Sequence, residues 1–596
     1  MLRYFSQLLL YLHVKLFNMK KYILLILFSF FSRLVISQTN IICTNSVAEQ
    51  VMKGNYNPQI YMPPVTINNP DSIIKVITQQ ISPDSLHGYL DILASFYTRN
   101  TASDTVSDST GIGAARRWAF KKFSEFSAGN NNRLLPSYLQ FETAICGVQQ
   151  HRNIFAVLPG ADTSDKSVVF VEGHIDSRCK NNCDFNCLAQ GMEDNASGTA
   201  LVLELARVMS KCVFNRTIIF LLPIGEEQGL YGSTAFVQYA LAQSISIHAV
   251  LNNDIVGGII CGNTSSAPSC PGYANIDSTH VRLFSFGGFN SPHKQFARFV
   301  KLEYKEEALP FVSVPTDIQI ITQEDRTGRG GDHIPFRQNQ FTAIRMTSAN
   351  ENGNASTSDP NYHDRQHTSD DILGVNTDLD PAIDSFFVNF NYLSRNAVIN
   401  ATAVGMAAIG PLTPDFNVVL AGDTTVAITI TQQTQYTKYR VGVRTTANDW
   451  DSVYTFSNSL TDTIVLAGPG NTIFSVASVD SNGVESLFSE EKLLNIVGIN
   501  SPGSSSNGIL LLPNTPNPAD EKTIITIVSD KDLKSQSAYV SITDTNGKEI
   551  KNIPVEIHHG VNEVLYNHGS HTSGVFNCTL YVNGEKNNSV KMVFKN

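Results

Sequence analysis

Three stretches of this 596-residue chain end an apolar run on side chains that bind metals. Val168-Val169-Phe170-Val171 runs into Gly173-His174-Ile175-Asp176, and Thr217–Leu222 runs into Gly225-Glu226-Glu227. Ala249-Val250-Leu251 runs into Asn252-Asn253-Asp254, and between the first two lies Glu193-Asp194-Asn195-Ala196-Ser197-Gly198. Taken singly, each has an ordinary explanation: an aspartate before a helix is usually a dipole cap, and paired glutamates are usually a solvated turn. Taken together they are an imidazole and several carboxylates gathered in one region. Zinc accepts that mixture of donors. Two zinc ions about 3.5–4 Å apart can share one carboxylate and one water, an arrangement suited to hydrolysis.

The elements that must position these groups follow from the apolar runs. Stretches of four to six residues, apolar on both faces, indicate strands covered by helices on either side, hence a largely parallel sheet. From Ala200 to Met209, Leu201, Leu205 and Val208 share a helical face. Strand, helix, strand is α/β construction. In such sheets ligands collect at the carboxyl ends of the strands, where these side chains lie. The predicted fold is α/β, with a mixed, mostly parallel sheet flanked by helices, followed by two all-β sandwich domains.

The stretch 76–402 resembles metallopeptidase family 28, the co-catalytic zinc aminopeptidases, which have glutaminyl cyclases among their relatives. The likeness rests on His-x-Asp, Asp-Asn-x-Ser-Gly, Glu-Glu and Asn-Asp motifs in order, with 20 residues from His174 to Asp194 and 27 from Glu227 to Asp254. Gly229-Leu230-Tyr231-Gly232-Ser233 after the glutamates is also similar to the aminopeptidases. The resemblance implies two zinc ions per chain. One would be held by His174 and Asp254, the other by Glu227 and a later histidine, with Asp194 bridging and a cis peptide at Asp194-Asn195. It implies Glu226 as general base and Asp176 as the carboxylate that fixes the His174 tautomer. His367-Thr368-Ser369-Asp370-Asp371 matches the family's last ligand motif, and His363 is its rival. Gln366 stands where relatives carry a tyrosine, leaving Tyr362 and Tyr273 as candidates to stabilise an oxyanion. Within Gly330–Phe336, Asp332 is a candidate for the pocket wall, and His333 is not expected to be a ligand.

Composition bounds the partners. A net charge of -10 leaves no basic excess for a nucleic acid, and charged residues make up only 16%. Met19-Lys20-Lys21, the apolar run Tyr22–Phe31 and Ser37 form a signal-peptide pattern, with Met19 the expected start. The mature chain is expected to be exported, with no transmembrane segment. Nine cysteines then fall in an oxidising compartment. Cys179, Cys183 and Cys187 read as a disulfide-pinned loop, Cys261 and Cys270 as a local pair, and Cys578 as a free thiol.

The domain plan is 1–37 upstream residues and signal peptide, 38–75 an extended Asn- and Pro-rich segment, and 76–402 the peptidase region. Residues 411–498 resemble a fibronectin type III sandwich, with alternating runs such as Val426–Ile430. Ser501–Gly508 is a linker. Residues 509–596 resemble the sorting domain of type IX secretion, through Pro513-Asn514, Asn517-Pro518 and Ile542–Lys548. The expected partners are peptide substrates and the type IX secretion machinery. The expected activity is a secreted metallo-aminopeptidase. The alternatives are a glutaminyl-cyclase-like or carboxypeptidase-like enzyme on the same scaffold, or a catalytically inactive surface-binding protein.

Overall fold

A computed structural model describes residues 38–595, apart from 262–271, 273, 322, 326–329, 351–364, 379, 381, 422–423, 446–447, 467–469, 497–508, 520, 530–531, 534–537, 559 and 570–572. The signal-peptide reading, His363, Tyr362, Tyr273, Cys270 and the 501–508 linker lie outside the described residues. The chain divides into two compact units, Met1–Ser285 with Val300–Ile409, and Phe286–Phe299 with Gly410–Asn596.

The first unit is built on one sheet. Its strands are β1 (Thr39–Cys43), β2 (Leu135–Ile145), β3 (Val148–Leu158), β4 (Val168–Glu172), β5 (Thr217–Leu222), β6 (Ile247–Asn253), β7 (His280–Phe284), β8 (Asp317–Ile321) and β9 (Ala343–Ser348). They lie in the order β1-β2-β3-β5-β4-β6-β9-β7-β8. The centre, β5-β4-β6-β9, is parallel, and β3 and β7 flank it antiparallel. Every residue of β4 and β5 is buried, as expected for strands covered on both faces.

The connections explain where a site must form. From β4 the chain passes through the helix Ser197–Met209 to β5 on one side, then through the helix Tyr231–Ala242 to β6 on the other. Right-handed crossovers in opposite directions put these helices on opposite faces. They open a crevice at the carboxyl end of β4, the strand order's switch point. Aromatic packing fixes one face: Phe170 of β4 meets Phe236 and Phe336 at centroid separations of 5.2 and 5.4 Å.

Two readings of the sequence need correction here. Residues 38–75 are not simply extended: β1 pairs with β2 at the sheet edge, and Asn45 caps a helix over Ser46–Met52, its side chain accepting from the Val47 and Ala48 amides. The third site-bearing strand runs from Ile247 to Asn253, well beyond Ala249–Leu251, because its flanking His248, Asn252 and Asn253 interrupt the apolar run without leaving the ladder.

Disulfides join Cys146 to Cys183 and Cys179 to Cys187, and Cys261 is also disulfide-bonded. Cys578 is free and buried, as are Cys43 and Cys212. Among the described residues, no helix is long and apolar enough to cross a membrane.

In the second unit, residues 416–496 form a three-stranded and a four-stranded sheet. Val426, Ile428 and Ile464 of one share a core with Tyr439, Val441 and Phe474 of the other. Residues 509–594 repeat the three-plus-four division around Ile525, Ile527, Val540, Ile542 and Leu580. Fold class is therefore as expected: a mixed α/β sheet followed by all-β sheets.

Candidate metal centre

The site is assembled by short turns at the ends of β4, β5 and β6. After β4, His174 and Asp176 are fully buried. The His174 ring directs Nδ1 at the Asp176 main-chain oxygen, 3.1 Å away, while the Asp176 carboxylate lies at 3.6 Å. The nearer acceptor is thus the carbonyl, in place of the expected carboxylate. That carboxylate instead accepts from Thr101 Oγ1 at 3.0 Å and from the Glu226 and Glu227 amides at 3.3 Å each. Asp176 thereby ties the turn after β4 to the turn after β5.

The Asp-Asn-x-Ser-Gly segment has a local logic. Asn195 accepts from the Gly198 amide at 2.9 Å and donates to the Asn253 carbonyl at 2.8 Å, joining the helix start to the end of β6. A Cβ on Gly198 would stand 2.3 Å from Asn253 O, so only glycine permits this approach. The Asp194-Asn195 peptide is cis, as the resemblance implied.

The result is that Asp194 faces two imidazoles. Its Oδ1 lies 3.3 Å from His174 Nε2 and its Oδ2 lies 3.0 Å from His367 Nε2. His174 Nε2 is also 3.8 Å from Asp254 Oδ1, and His367 Nε2 is 3.4 Å from Glu227 Oε2. Two groups of donor atoms emerge, His174-Asp194-Asp254 and Asp194-Glu227-His367, each with its atoms within 4.8 Å of one another. Glu226 belongs to neither group, its carboxylate standing 3.9 Å from His174 Nε2. The five expected ligands and Glu226 therefore meet at one place. His333 is apart from both groups, buried at the start of a short helix, where burial lowers its ring to about 4.

Electrostatics follow from crowding these groups out of water. Burial would lower the His174 pKa, but Glu226, Asp176, Asp194 and Asp254 overcome it and raise it well above the usual value. Burial opposes ionisation of Asp194, yet the two imidazoles hold its pKa well below the carboxylate range. Glu226 and Glu227 are both raised well above it, first by burial. Asp332 is fully buried nearby, and burial pushes it up to about 7.

Several positioning residues were not singled out from the sequence. Asp371 accepts from the Glu193 and Asp194 amides at 2.8 and 3.0 Å, clamping the peptide that carries the shared carboxylate. It lies inside the His367 motif, but its role depends on a contact across 177 positions. The buried Arg99 donates to Ile175 O at 2.8 Å and Gly191 O at 3.0 Å, bracing the approaches to His174 and Asp194. Arg345 on β9 reaches Asp254 Oδ2 at 3.2 Å and its carbonyl at 2.5 Å. Arg178 contacts Glu227 and His367. Replacing Asp371 with Ala is expected to weaken metal binding about 10- to 100-fold, the usual cost of losing such support. Zinc affinity measured by chelator competition checks this, and unchanged affinity would remove the clamp from the account.

Comparison with known proteins places this geometry. The family model described as peptidase family M28 matches residues 153–379, a span that includes His174, Asp194, Glu226, Glu227, Asp254 and His367. A probable zinc metalloprotease of Leptosphaeria maculans is 31% identical over 435 residues, covering 70% of this chain and 96% of the relative. Another, from Pyricularia oryzae, is 32% identical, covering 57% of this chain and 67% of its own length. The solved LapA aminopeptidase of Legionella pneumophila aligns at 18% identity and a TM-score of 0.40, over 58% of this chain and 78% of that one, a likeness too slight to add to what the sequence relatives show. With a relative matched almost end to end and the matched segment holding the whole donor cluster, the chain belongs to peptidase family M28.

Proposed function

We propose that this chain is a secreted zinc-dependent exopeptidase that removes residues from the free N-terminus of peptides, using two zinc ions per chain. The observation that carries the reading is the division of one carboxylate, Asp194, between two imidazoles, each with a further carboxylate of its own. The donors fit the metal: imidazole nitrogens and carboxylate oxygens are what zinc accepts. His174 Nε2, in one donor group, and Glu227 Oε1, in the other, are buried without a hydrogen-bond partner, which supports a further occupant beside each. His174 and Asp254 would hold one ion, Glu227 and His367 the other, with Asp194 facing both positions.

Bound zinc supplies Lewis acidity, which polarises a carbonyl and makes water easier to deprotonate. The chain's own residues do the rest. Glu226 stands beside the cluster without joining either donor group, and burial raises its pKa above the ordinary carboxylate range, which strengthens it as a proton acceptor. It takes the proton of the attacking water and returns it to the departing amine. Asp176 holds the Glu226 and Glu227 amides in place, so that one glutamate reaches the donor cluster while its neighbour faces the reacting water. The Gly229–Ser233 segment, similar to the family's aminopeptidases, supports the preference for a free amino terminus.

Export belongs to the same proposal. The signal-peptide pattern before Gln38 supports it, and so does the pairing of cysteines into disulfides. The three-plus-four strand division of residues 416–496 supports a fibronectin type III-like module, and the terminal sandwich is compatible with a type IX sorting domain. The test is hydrolysis of aminoacyl-nitroanilides, their N-acetylated counterparts and an N-terminal glutaminyl peptide by the mature protein. Free amino termini are expected to be cleaved, blocked ones spared, and activity lost to a chelator and restored by zinc. Cleavage of blocked peptides, or ring closure of the glutaminyl peptide without hydrolysis, would overturn the aminopeptidase reading.

A further inference from the structure

The turn that carries Glu226 and Glu227 is gripped from two sides by residues that adjoin one disulfide. On one side Ile145, the last residue of β2, stands against Gly225, where a Cβ would come within 3.1 Å of Ile145 Cδ1. On the other, the carbonyl of Asn182 accepts from Gln228 Nε2 at 3.0 Å. Ile145 precedes Cys146 and Asn182 precedes Cys183, and those two cysteines are bonded to each other across 37 positions. The bond therefore closes a bracket around Gly225–Gln228.

The same carbonyl also reaches the carboxylate that organises this turn. Asn182 O accepts from Asn100 Nδ2 at 2.9 Å. The next residue, Thr101, donates to Asp176 Oδ2, and Asp176 in turn accepts from the Glu226 and Glu227 amides. The two glutamates differ in what else fixes them. Glu227 belongs to a donor group and would be anchored by its ion, whereas Glu226 belongs to neither group. The placement of Glu226 thus depends on the turn, and a reacting group displaced by about 1 Å can lose about 100-fold in rate.

This bond is also the accessible one. Cys183 is exposed and Cys146 half-buried, whereas Cys179 and Cys261, which belong to other disulfides, are buried. Exposed disulfides are the readily reduced ones and the ones suited to regulation. A dithiol would give two electrons and two protons to the bond, leaving thiols at Cys146 and Cys183 and itself becoming a disulfide.

We propose that the Cys146–Cys183 bond is a redox latch on the Glu226 turn: closed, it holds the proton acceptor in place, and opened by a dithiol, it slows turnover while both ions stay bound. The inference rests on the reading of Glu226 given above. It adds that thiol chemistry regulates the site, and it makes Asn182 and Gln228 positioning residues.

The test measures kcat, KM and zinc content of the mature protein before mild reduction, after it, and after reoxidation. A water-soluble phosphine serves as reductant, because dithiols themselves bind zinc. The double variant Cys146→Ser, Cys183→Ser and the single variant Gln228→Leu, which keeps the bond but removes its grip, are measured beside it, so that one poorly folding protein does not decide the matter. Reduction and both variants are expected to lower kcat by about 10- to 100-fold, with KM little changed and zinc retained, and reoxidation should restore wild type. Unchanged kcat on reduction and in both variants would overturn the latch while leaving zinc-dependent hydrolysis by the oxidised protein intact. Zinc lost in step with activity would also overturn it and make the bond a support for Glu227. Absence of zinc-dependent hydrolysis in the oxidised protein would end both readings.

Discussion

Glu226→Gln is expected to keep both zinc ions and lose about 10²- to 10⁴-fold in kcat, the range that a positioned acid–base group contributes. The substitution preserves shape but cannot take up a proton. Glu226 stands 3.9 Å from His174 Nε2 and lies outside both donor groups, so its loss should leave metal binding alone. Its amide, which donates to Asp176, is untouched by the change. Steady-state turnover of a nitroanilide, read beside zinc content of the same sample, checks both halves of the expectation. Wild-type turnover would remove Glu226 from the proton path, and loss of zinc would make it a ligand.

Asp194→Ala is expected to abolish stoichiometric zinc binding at both positions, with affinity falling by more than about 100-fold, beyond the usual loss of a supporting contact. Each half would be left with two protein ligands, His174 with Asp254 and Glu227 with His367. The same change removes the acceptor facing two buried imidazoles, so the apoprotein should also melt at a lower temperature. Glu227→Ala offers the contrast, because it strips one half only. Zinc content after dialysis separates the two variants: near zero for Asp194→Ala, and one equivalent for Glu227→Ala. Retention of one tight equivalent by Asp194→Ala would mean that the carboxylate is not shared.

How much of this was legible in the sequence depended on whether a role was local. The three site-bearing strands declared themselves because buried parallel strands are continuous apolar runs, and candidate ligands sit directly after them. Asn195 accepts from the Gly198 amide three positions on, so that part of the motif is local, whereas the approach of both residues to Asn253 is not. Arg99 and Arg345 act through contacts tens of positions away, and nothing about their immediate neighbours distinguishes them from surface charges; Asp371 lies in the His367 motif, but the amides it accepts from are 177 and 178 positions away. The β2–β3 hairpin was hidden for another reason. Its exposed face carries Gln140, Gln150 and Arg152, and although Ile154–Leu158 is an apolar run, the turn is Cys146-Gly147, both at positive φ, so no Asn-Gly signal announced the hairpin. At Asp176 the atom nearest His174 differs from the expected carboxylate: main-chain direction after β4 decides that the carbonyl meets His174, and only coordinates give that direction.

The central claim is that one carboxylate holds two cations at the carboxyl end of β4. Anomalous diffraction at the zinc edge from crystals of the mature protein tests it most directly. The account predicts two peaks, one against His174 and Asp254, the other against Glu227 and His367, with an oxygen of Asp194 touching each. A single peak, or two peaks of which only one contacts Asp194, would contradict it.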